Sequence, residues 1–255
     1  MRILVSIDDT DSFTTKGIKG TGDLAKNISR AIKSNGWGTS SRITRHQLLL
    51  HEDIPYTSHN SSMCFEADID PQYLQAVIDF SGRHLETESE PEADPGLCVV
   101  VPDLLADPVR LIDYSYLAKR EVLDKNSAYT LASELGIHLS EHGGTGQGVI
   151  GAMAGAGLRL GGNDGSFKDK HKVGEPGTIL TAAELCALAK VDRIISLGGT
   201  VLGGEETVVL GNMVKSILSE GKAVIPVQPL ETEDQALVWR TCSKEQVHLL
   251  QRTGQ

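Results

Sequence analysis

Positive charge is scarce in this sequence: 24 Lys and Arg face 34 Asp and Glu, a formal net charge of −10. Nucleic-acid affinity comes mainly from neutralising phosphates with Lys and Arg, so the balance argues against a non-specific polyanion binder, though a local basic patch remains open. Aromatic residues make up only 4% of the chain, which weakens a base-stacking platform as the main recognition device. The four cysteines, Cys64, Cys98, Cys186 and Cys242, stand apart without Cys-x-x-Cys spacing. Their apolar surroundings read as buried reduced thiols rather than a metal site or disulfide set. No apolar run approaches the roughly 20 residues that cross a bilayer, and Asp8 and Asp9 interrupt the opening strand too early for a secretory signal. These absences describe a soluble cytoplasmic protein without a membrane partner.

What the chain has in excess is glycine, 27 residues with no collagen-like period. Repeated tight turns or close backbone approaches are therefore expected. Its 255 residues allow one large domain or two modest ones with real cores.

Ile3, Leu4, Val5 and Ile7 predict a buried strand ending in the acidic turn Asp8-Asp9-Thr10-Asp11-Ser12. Leu24, Ala25, Ile28, Ala31 and Ile32 recur at helical spacing and predict a helix over 21–34, ended by Gly36. Strands are expected around 37–50 and 61–70, then a short helix over 71–80. An acidic segment over 86–94 reads as a solvated loop, followed by a strand at 97–101 and helices over 108–123 and 126–135. A glycine-dense turn, 142–148, feeds a small-residue helix to about residue 158. Beyond it come a strand from 191, a second glycine loop at 198–204, a helix near 211–219, and strands at 223–227 and 236–242. The alternation indicates an α/β (α+β) class, with a principal core over 1–205 and a small α/β subdomain over 206–255.

Three carboxylates within four positions, Asp8, Asp9 and Asp11, raise one another's pKa unless something neutralises them. Mg²⁺ suits the position, because it takes one or two carboxylates plus phosphate oxygens and water. The bland alternative is an Asx-turn that merely starts the next segment. Asp9-Thr10-Asp11-Ser12-Phe13 also invites comparison with the D-x-D-x-[TV] phosphatase motif, but Phe13 stands where that motif has Thr or Val. At the start of the first helix, Gly20-Thr21-Gly22-Asp23 presents free N–H groups and a positive dipole end to an anion, with Lys16 and Lys19 upstream. Thr21 is equally readable as an ordinary N-cap. The histidines His46, His51, His59 and His142 are candidates for ligands or acid–base groups, against the commoner role of plain loop residues.

Several of these motifs, in order, resemble the archaeal isoleucine-tRNA agmatinylcytidine synthetase family. The resemblance rests on Ile7-Asp8-Asp9-Thr10-Asp11-Ser12, Gly20-Thr21-Gly22-Asp23-Leu24-Ala25, Arg42-Ile43-Thr44-Arg45 and Ile54-Pro55-Tyr56 with Asn60. It continues through Asp94-Pro95-Gly96 to Gly146-Gln147-Gly148-Val149-Ile150-Gly151-Ala152. It implies a kinase-like α/β domain joined to a ferredoxin-like domain, with ATP and Mg²⁺ held by the acidic turn and the glycine loop. In that family the C2 carbonyl of a tRNA cytidine is activated by phosphorylation and agmatine displaces the phosphate. A threonine matching Thr21 becomes phosphorylated.

Carried over by position, Asp8, Asp9, Asp11 and Thr21 are the catalytic candidates, with the three aspartates as metal ligands. Lys19, Gly20, Gly22, Gly143, Gly144, Thr145, Gly146 and Gly148 would bind nucleotide, and Arg42, Arg45, His59 and Asn60 substrate. The departures are Gly20 and Gly22 in place of Cys and Thr, Gln147 in place of Arg, and Thr57-Ser58-His59 in place of a basic run. The family's tRNA-gripping OB-fold and zinc ribbon find no counterpart. The expectation is thus an ATP/Mg²⁺-dependent phosphotransferase or ATP-activating synthetase on a small molecule. The alternatives are a non-catalytic nucleotide-binding module, or a tRNA-modifying enzyme whose partner supplies the tRNA grip.

Overall fold

The computed structural model describes residues 1–11, 20–54, 60–230 and 238–253. Lys16, Lys19 and the 55–59 segment with His59 lie outside the described residues. Backbone contacts divide the chain into Met1–Gly161 and Gly162–Gln255, so the compact units part at Gly161/Gly162, earlier than the 205/206 division expected from the sequence.

In the first unit an antiparallel sheet runs β6 (His138–Glu141), β5 (Gly96–Val100), β1 (Arg2–Asp8), β4 (Ser61–Ile69), β3 (Thr44–Gln47), and β2 (Gly38–Ser40) also pairs with β4. Strand β1 sits in the middle, its last six residues buried. A strand covered on both faces needs apolar residues at successive positions, and Ile3-Leu4-Val5 supplies them. The odd side chains Ile3, Val5 and Ile7 pack with Phe65, Val99 and the apolar stripe Leu24, Ile28, Ile32 of α1 (Thr21–Ser34). Helix α2 (Leu74–Glu88) joins the same layer through Val77 and Leu85. Helix α1 ends where expected, with Gly36 at φ +70° and the Trp37 N–H donating back to the Ile32 carbonyl at 2.9 Å.

Leu4, Cys64, Cys98 and Val100 face the other way. There they meet α5 (Gly148–Gly161), α3 (Pro108–Leu117) and α4 (Lys125–Leu135) through Ala152, Ala156, Leu111 and Ala132. The unit is a sheet with helices on both faces, matching the α/β expectation.

Several element boundaries differ from expectation. Helix α2 runs eight residues past residue 80, taking Glu86 and Glu88 into the helix and out of the expected acidic loop. The segment over 37–50 is two short strands, and Arg42 lies between them.

In the second unit the strands run β7 (Ser166–Phe167), β11 (Ile217–Ser219), β12 (Lys222–Leu230), β13 (Val238–Thr241), β10 (Thr207–Val209), β8 (Ile179–Thr181), with β9 (Arg193–Ser196) parallel to β12. Helices α6 (Ala182–Ala189) and α7 (Lys244–Thr253) complete it. Leu185, Ile194, Val208, Ile225 and Val227 form its main core. The helix expected near 211–219 is replaced by a hairpin. Glu220 and Gly221, at φ +49° and +69°, form a two-residue turn that pairs Ser219 with Lys222. Two consecutive positive-φ residues match the twist of antiparallel strands, and that local geometry overrides a weak helical pattern.

Candidate functional site

The end of β1, the start of α1, the turn before β5 and the start of α5 converge. Asp8 is the last residue of β1, 7% exposed, and pairs in register with Gly96. Asp9 follows with φ +53°, the left-handed region that a non-glycine residue rarely adopts. This sharp reversal carries the chain to Thr10, whose hydroxyl donates to the Thr21 hydroxyl at 3.1 Å. Thr21 is the first residue of α1 and Gly20 its N-cap, with the Asp23 N–H donating to the Gly20 carbonyl at 2.7 Å. The N-cap alternative for Thr21 therefore does not hold; its hydroxyl is tied to the acidic turn instead.

Burial pushes the Asp8 carboxyl well above the usual range, with Asp9 and Asp11 adding repulsion. Asp9 is pushed up to about 7, chiefly by burial and then by Asp94 and Asp11. Carboxyls pushed up together by burial and by one another are the electrostatic mark of a candidate functional site.

Asp94 is the residue sequence reasoning missed, because it was assigned to the solvated acidic segment. It stands at the turn before β5, and its neighbours Ala93 and Pro95 are buried. Its carboxylate accepts from both the backbone N–H and the hydroxyl of Thr145, the latter at 2.9 Å, and its carbonyl accepts from the Gly148 N–H at 3.0 Å. A sequence signal existed: Asp94 directly precedes Pro95-Gly96 and the apolar run Leu97-Cys98-Val99-Val100. An acid entering a buried strand is placed by that strand, as Asp8 is placed by leaving one.

The glycine loop enters left-handed conformations that favour glycine at Gly144 (φ +54°) and Gly146 (φ +74°). Lys125 pins it, donating to the Thr145 carbonyl at 2.5 Å and to Glu141 at 3.1 Å. Helix α5 then passes so close to β1 that a Cβ on Gly151 would run into the Asp8 carboxylate, and one on Gly148 into the Asp94 carbonyl. Glycine is required here for approach, and the approach sets the start of α5 against the Asp8 carboxylate and the Asp94 backbone carbonyl. The small-residue helix thus serves packing from Gly148 onward, while Gly143, Gly144 and Gly146 shape the loop.

The remaining candidates separate. Arg45 lies on β3 in register with Met63, which pairs with Ile7, so it shares the α1 face of the sheet. Its guanidinium donates to Ser61 Oγ at 3.0 Å and Gln47 Oε1 at 3.2 Å, and burial lowers its pKa. Arg42 is half-buried in the connection before β3, so strand alternation does not relate it to Arg45. Asn60 ties the chain together, its amide donating to the Leu49 carbonyl at 2.8 Å while its carbonyl accepts from Gln47 and Leu48.

Among the described residues no three His, Cys, Asp or Glu side chains form a ready metal cage. Mg²⁺ does not need one, since substrate phosphates and water complete its shell. The acids Asp8, Asp9 and Asp94 are the oxygen donors that such an ion takes, and they stand beside the start of α5, where Gly151 lies against the Asp8 carboxylate and Gly148 against the Asp94 carbonyl. No described helix is long and apolar enough to cross a membrane.

No protein-family model matches this chain, and no curated protein matches it significantly. Solved structures do. A complex of TiaS with its isoleucine tRNA and ATP superposes with a TM-score of 0.53 at 24% identity, covering 67% of this chain and 37% of that one. A tRNA fluorescent labelling enzyme gives 0.52 at 25% identity over the same shares. A complex of TiaS with the same tRNA, AMPCPP and agmatine gives 0.52 at 17% identity, covering 94% of this chain and 60% of that one. TiaS is a tRNA agmatidine synthetase. The chain has a TiaS-like fold, and it spans 37% to 60% of the length of these proteins.

Proposed function

We infer that this chain is an ATP-using enzyme of the tRNA-modifying kind, with Mg-ATP held where the acidic turn meets the start of α5. The observation that carries the reading is the pairing of the crowded acids Asp8, Asp9 and Asp94 with a helix start built from Gly148 and Gly151. Phosphoryl transfer asks a protein for little beyond positioning and charge neutralisation, and these are its parts. ATP, when bound, supplies the phosphoryl or nucleotidyl group that turns a poor leaving oxygen into a good one. Asp8, Asp9 and Asp11 would hold Mg²⁺, Gly143, Gly144 and Gly146 would shape the phosphate cradle with Thr145, and Asp94 would fix that cradle's position. Thr21, whose hydroxyl Thr10 holds beside the acidic turn, would receive the phosphoryl group.

The fold likeness to tRNA-bound structures favours a tRNA substrate over the small molecule expected from composition. The net charge of −10 is in keeping with a tRNA grip supplied largely from outside this chain, as by a partner. That same charge is what supports the small-molecule reading. One experiment separates them: ATP turnover measured with Mg²⁺ alone, with the small-molecule filtrate of lysate from the source cells, with total tRNA, and with tRNA plus whole lysate, each corrected for turnover without the protein. Stimulation that needs both tRNA and lysate supports the reading, and stimulation by small molecules alone favours the other. Nucleotide-dependent thermal stabilisation without turnover would make the chain a sensing module. Absence of ATP binding at millimolar concentration would overturn all three.

A further inference from the structure

Away from the acidic turn, the first unit holds a second polar constellation. Strand β6 ends the sheet, paired among the described residues only with β5. Leu139 faces the α5 core, so by alternation His138, Ser140 and, just beyond the strand, His142 share the opposite face, where α2 lies. The His142 ring fits against α2 because residue 82 is glycine: a Cβ there would sit 2.6 Å from His142 Cε1.

Three hydrogen bonds join these groups. His142 Nδ1 lies 3.0 Å from Glu86 Oε1, His142 Nε2 lies 2.8 Å from Ser140 Oγ, and His138 Nε2 lies 3.0 Å from the same Oγ. The proton positions follow from what each group can do. A carboxylate only accepts, so a His142 tautomer carrying Nδ1–H donates to Glu86, and in that tautomer Nε2 accepts from the Ser140 hydroxyl. His138 then donates its Nε2–H to the serine oxygen. Burial lowers the His138 pKa, His142 lowers it further, and Asp79 opposes both, which keeps the ring in its neutral donor form.

A hydroxyl bonded to a base that a carboxylate orients is the arrangement that activates serine on unrelated folds. The geometry points to Ser140, His142 and Glu86 as a nucleophilic serine site, built from other side chains than the proposed ATP site though His142 adjoins the glycine loop at Gly143, whose substrates are neutral or cationic carboxylic esters. The charge preference follows from Glu86 and Asp79 flanking the row, which repel an anionic ester. In the reaction Ser140 Oγ attacks the carbonyl carbon as its proton passes to His142 Nε2. The ester C–O bond then breaks, the alcohol leaves with that proton, and the acyl group stays on Oγ. Water repeats the sequence on the acyl-serine and releases the carboxylic acid, returning the proton to Ser140. His138 is a positioning residue that holds the hydroxyl rotamer.

The test uses the whole chain without ATP or Mg²⁺, so its outcome is independent of the nucleotide site. A neutral fluorophosphonate probe is added and the modified peptide identified by mass spectrometry, with p-nitrophenyl acetate hydrolysis followed in parallel. Wild type is expected to gain one probe mass on the peptide carrying Ser140. Ser140→Ala is expected to gain none, and Glu86→Gln, which loses the charge that holds the base in its tautomer and stabilises its imidazolium, to react about 100-fold more slowly or worse. The peptide assignment in wild type stands even if a variant fails to fold. Wild type that takes no probe at millimolar concentration, or Ser140→Ala labelled as fully as wild type, overturns the inference.

Discussion

Helices α5 and α6 begin in opposite ways. Helix α6 closes its own end: Thr181 Oγ1 accepts from the Glu184 N–H at 3.2 Å, and Glu184 reaches back to the Thr181 N–H at 2.8 Å. This capping box satisfies the start of the helix from within its own first turn. Helix α5 begins with Gly148 donating to the Asp94 carbonyl and with Gly151 under the Asp8 carboxylate. One helix start is finished and inert; the other keeps buried acids at its positive end. The difference teaches where this chain gives up local stability, and it does so where the sheet's central strand ends.

Substitutions can break or sharpen that contrast. The largest effect is expected from Gly151→Val, whose side chain would displace Asp8 from beneath α5. We expect a loss of about 3 kcal/mol in urea unfolding and no measurable ATP binding. Unchanged stability would mean that the close approach of α5 to β1 is not required. Next comes Asp94→Asn, with opposite signs in two assays. Removing a carboxylate that repels Asp9 should raise the melting temperature at pH 8 without ligand, while Mg-ATP affinity falls about tenfold, about 1.4 kcal/mol. A variant that is both less stable and equally tight for Mg-ATP would dismiss the idea of acids crowded for a cation. Thr181→Ala should cost about 1 kcal/mol by removing the α6 cap. Gly221→Ala, forced to keep φ +69°, should cost about 1 kcal/mol in the β11–β12 turn. Neither is expected to change Mg-ATP affinity, and isothermal titration showing otherwise would couple the α6 cap or the β11–β12 turn to the nucleotide site.

Much of the first unit was legible because its signals are local. Continuous apolar residues at Ile3-Leu4-Val5 mark a central strand, helical spacing marks α1, and the crowding of Asp8, Asp9 and Asp11 singles out the candidate site. What escaped depends on tertiary placement. Asp94 looks like one more acid in an acidic stretch until β5 pairs with β1 and sets it beside Asp9. Arg42 and Arg45 read as strand neighbours until the chain breaks between β2 and β3. The Ser140–His142–Glu86 row needs α2 to run past residue 80, farther than its periodicity suggested. In the second unit the Glu220-Gly221 turn decided the local structure, and a two-residue backbone geometry leaves almost no trace in hydrophobic pattern.

The pairing of β1 also carries a consequence for synthesis. Residues 2–8 lie between β4 and β5 and beneath α5, which begins at Gly148. Strand β1 is therefore completed only when α5 has been made, on the order of ten seconds after β1 itself at ordinary elongation rates. Such long-range pairing slows folding. Until α5 is made, the face of β1 that carries Leu4 lacks its helix cover, an apolar surface of the kind a chaperone holds.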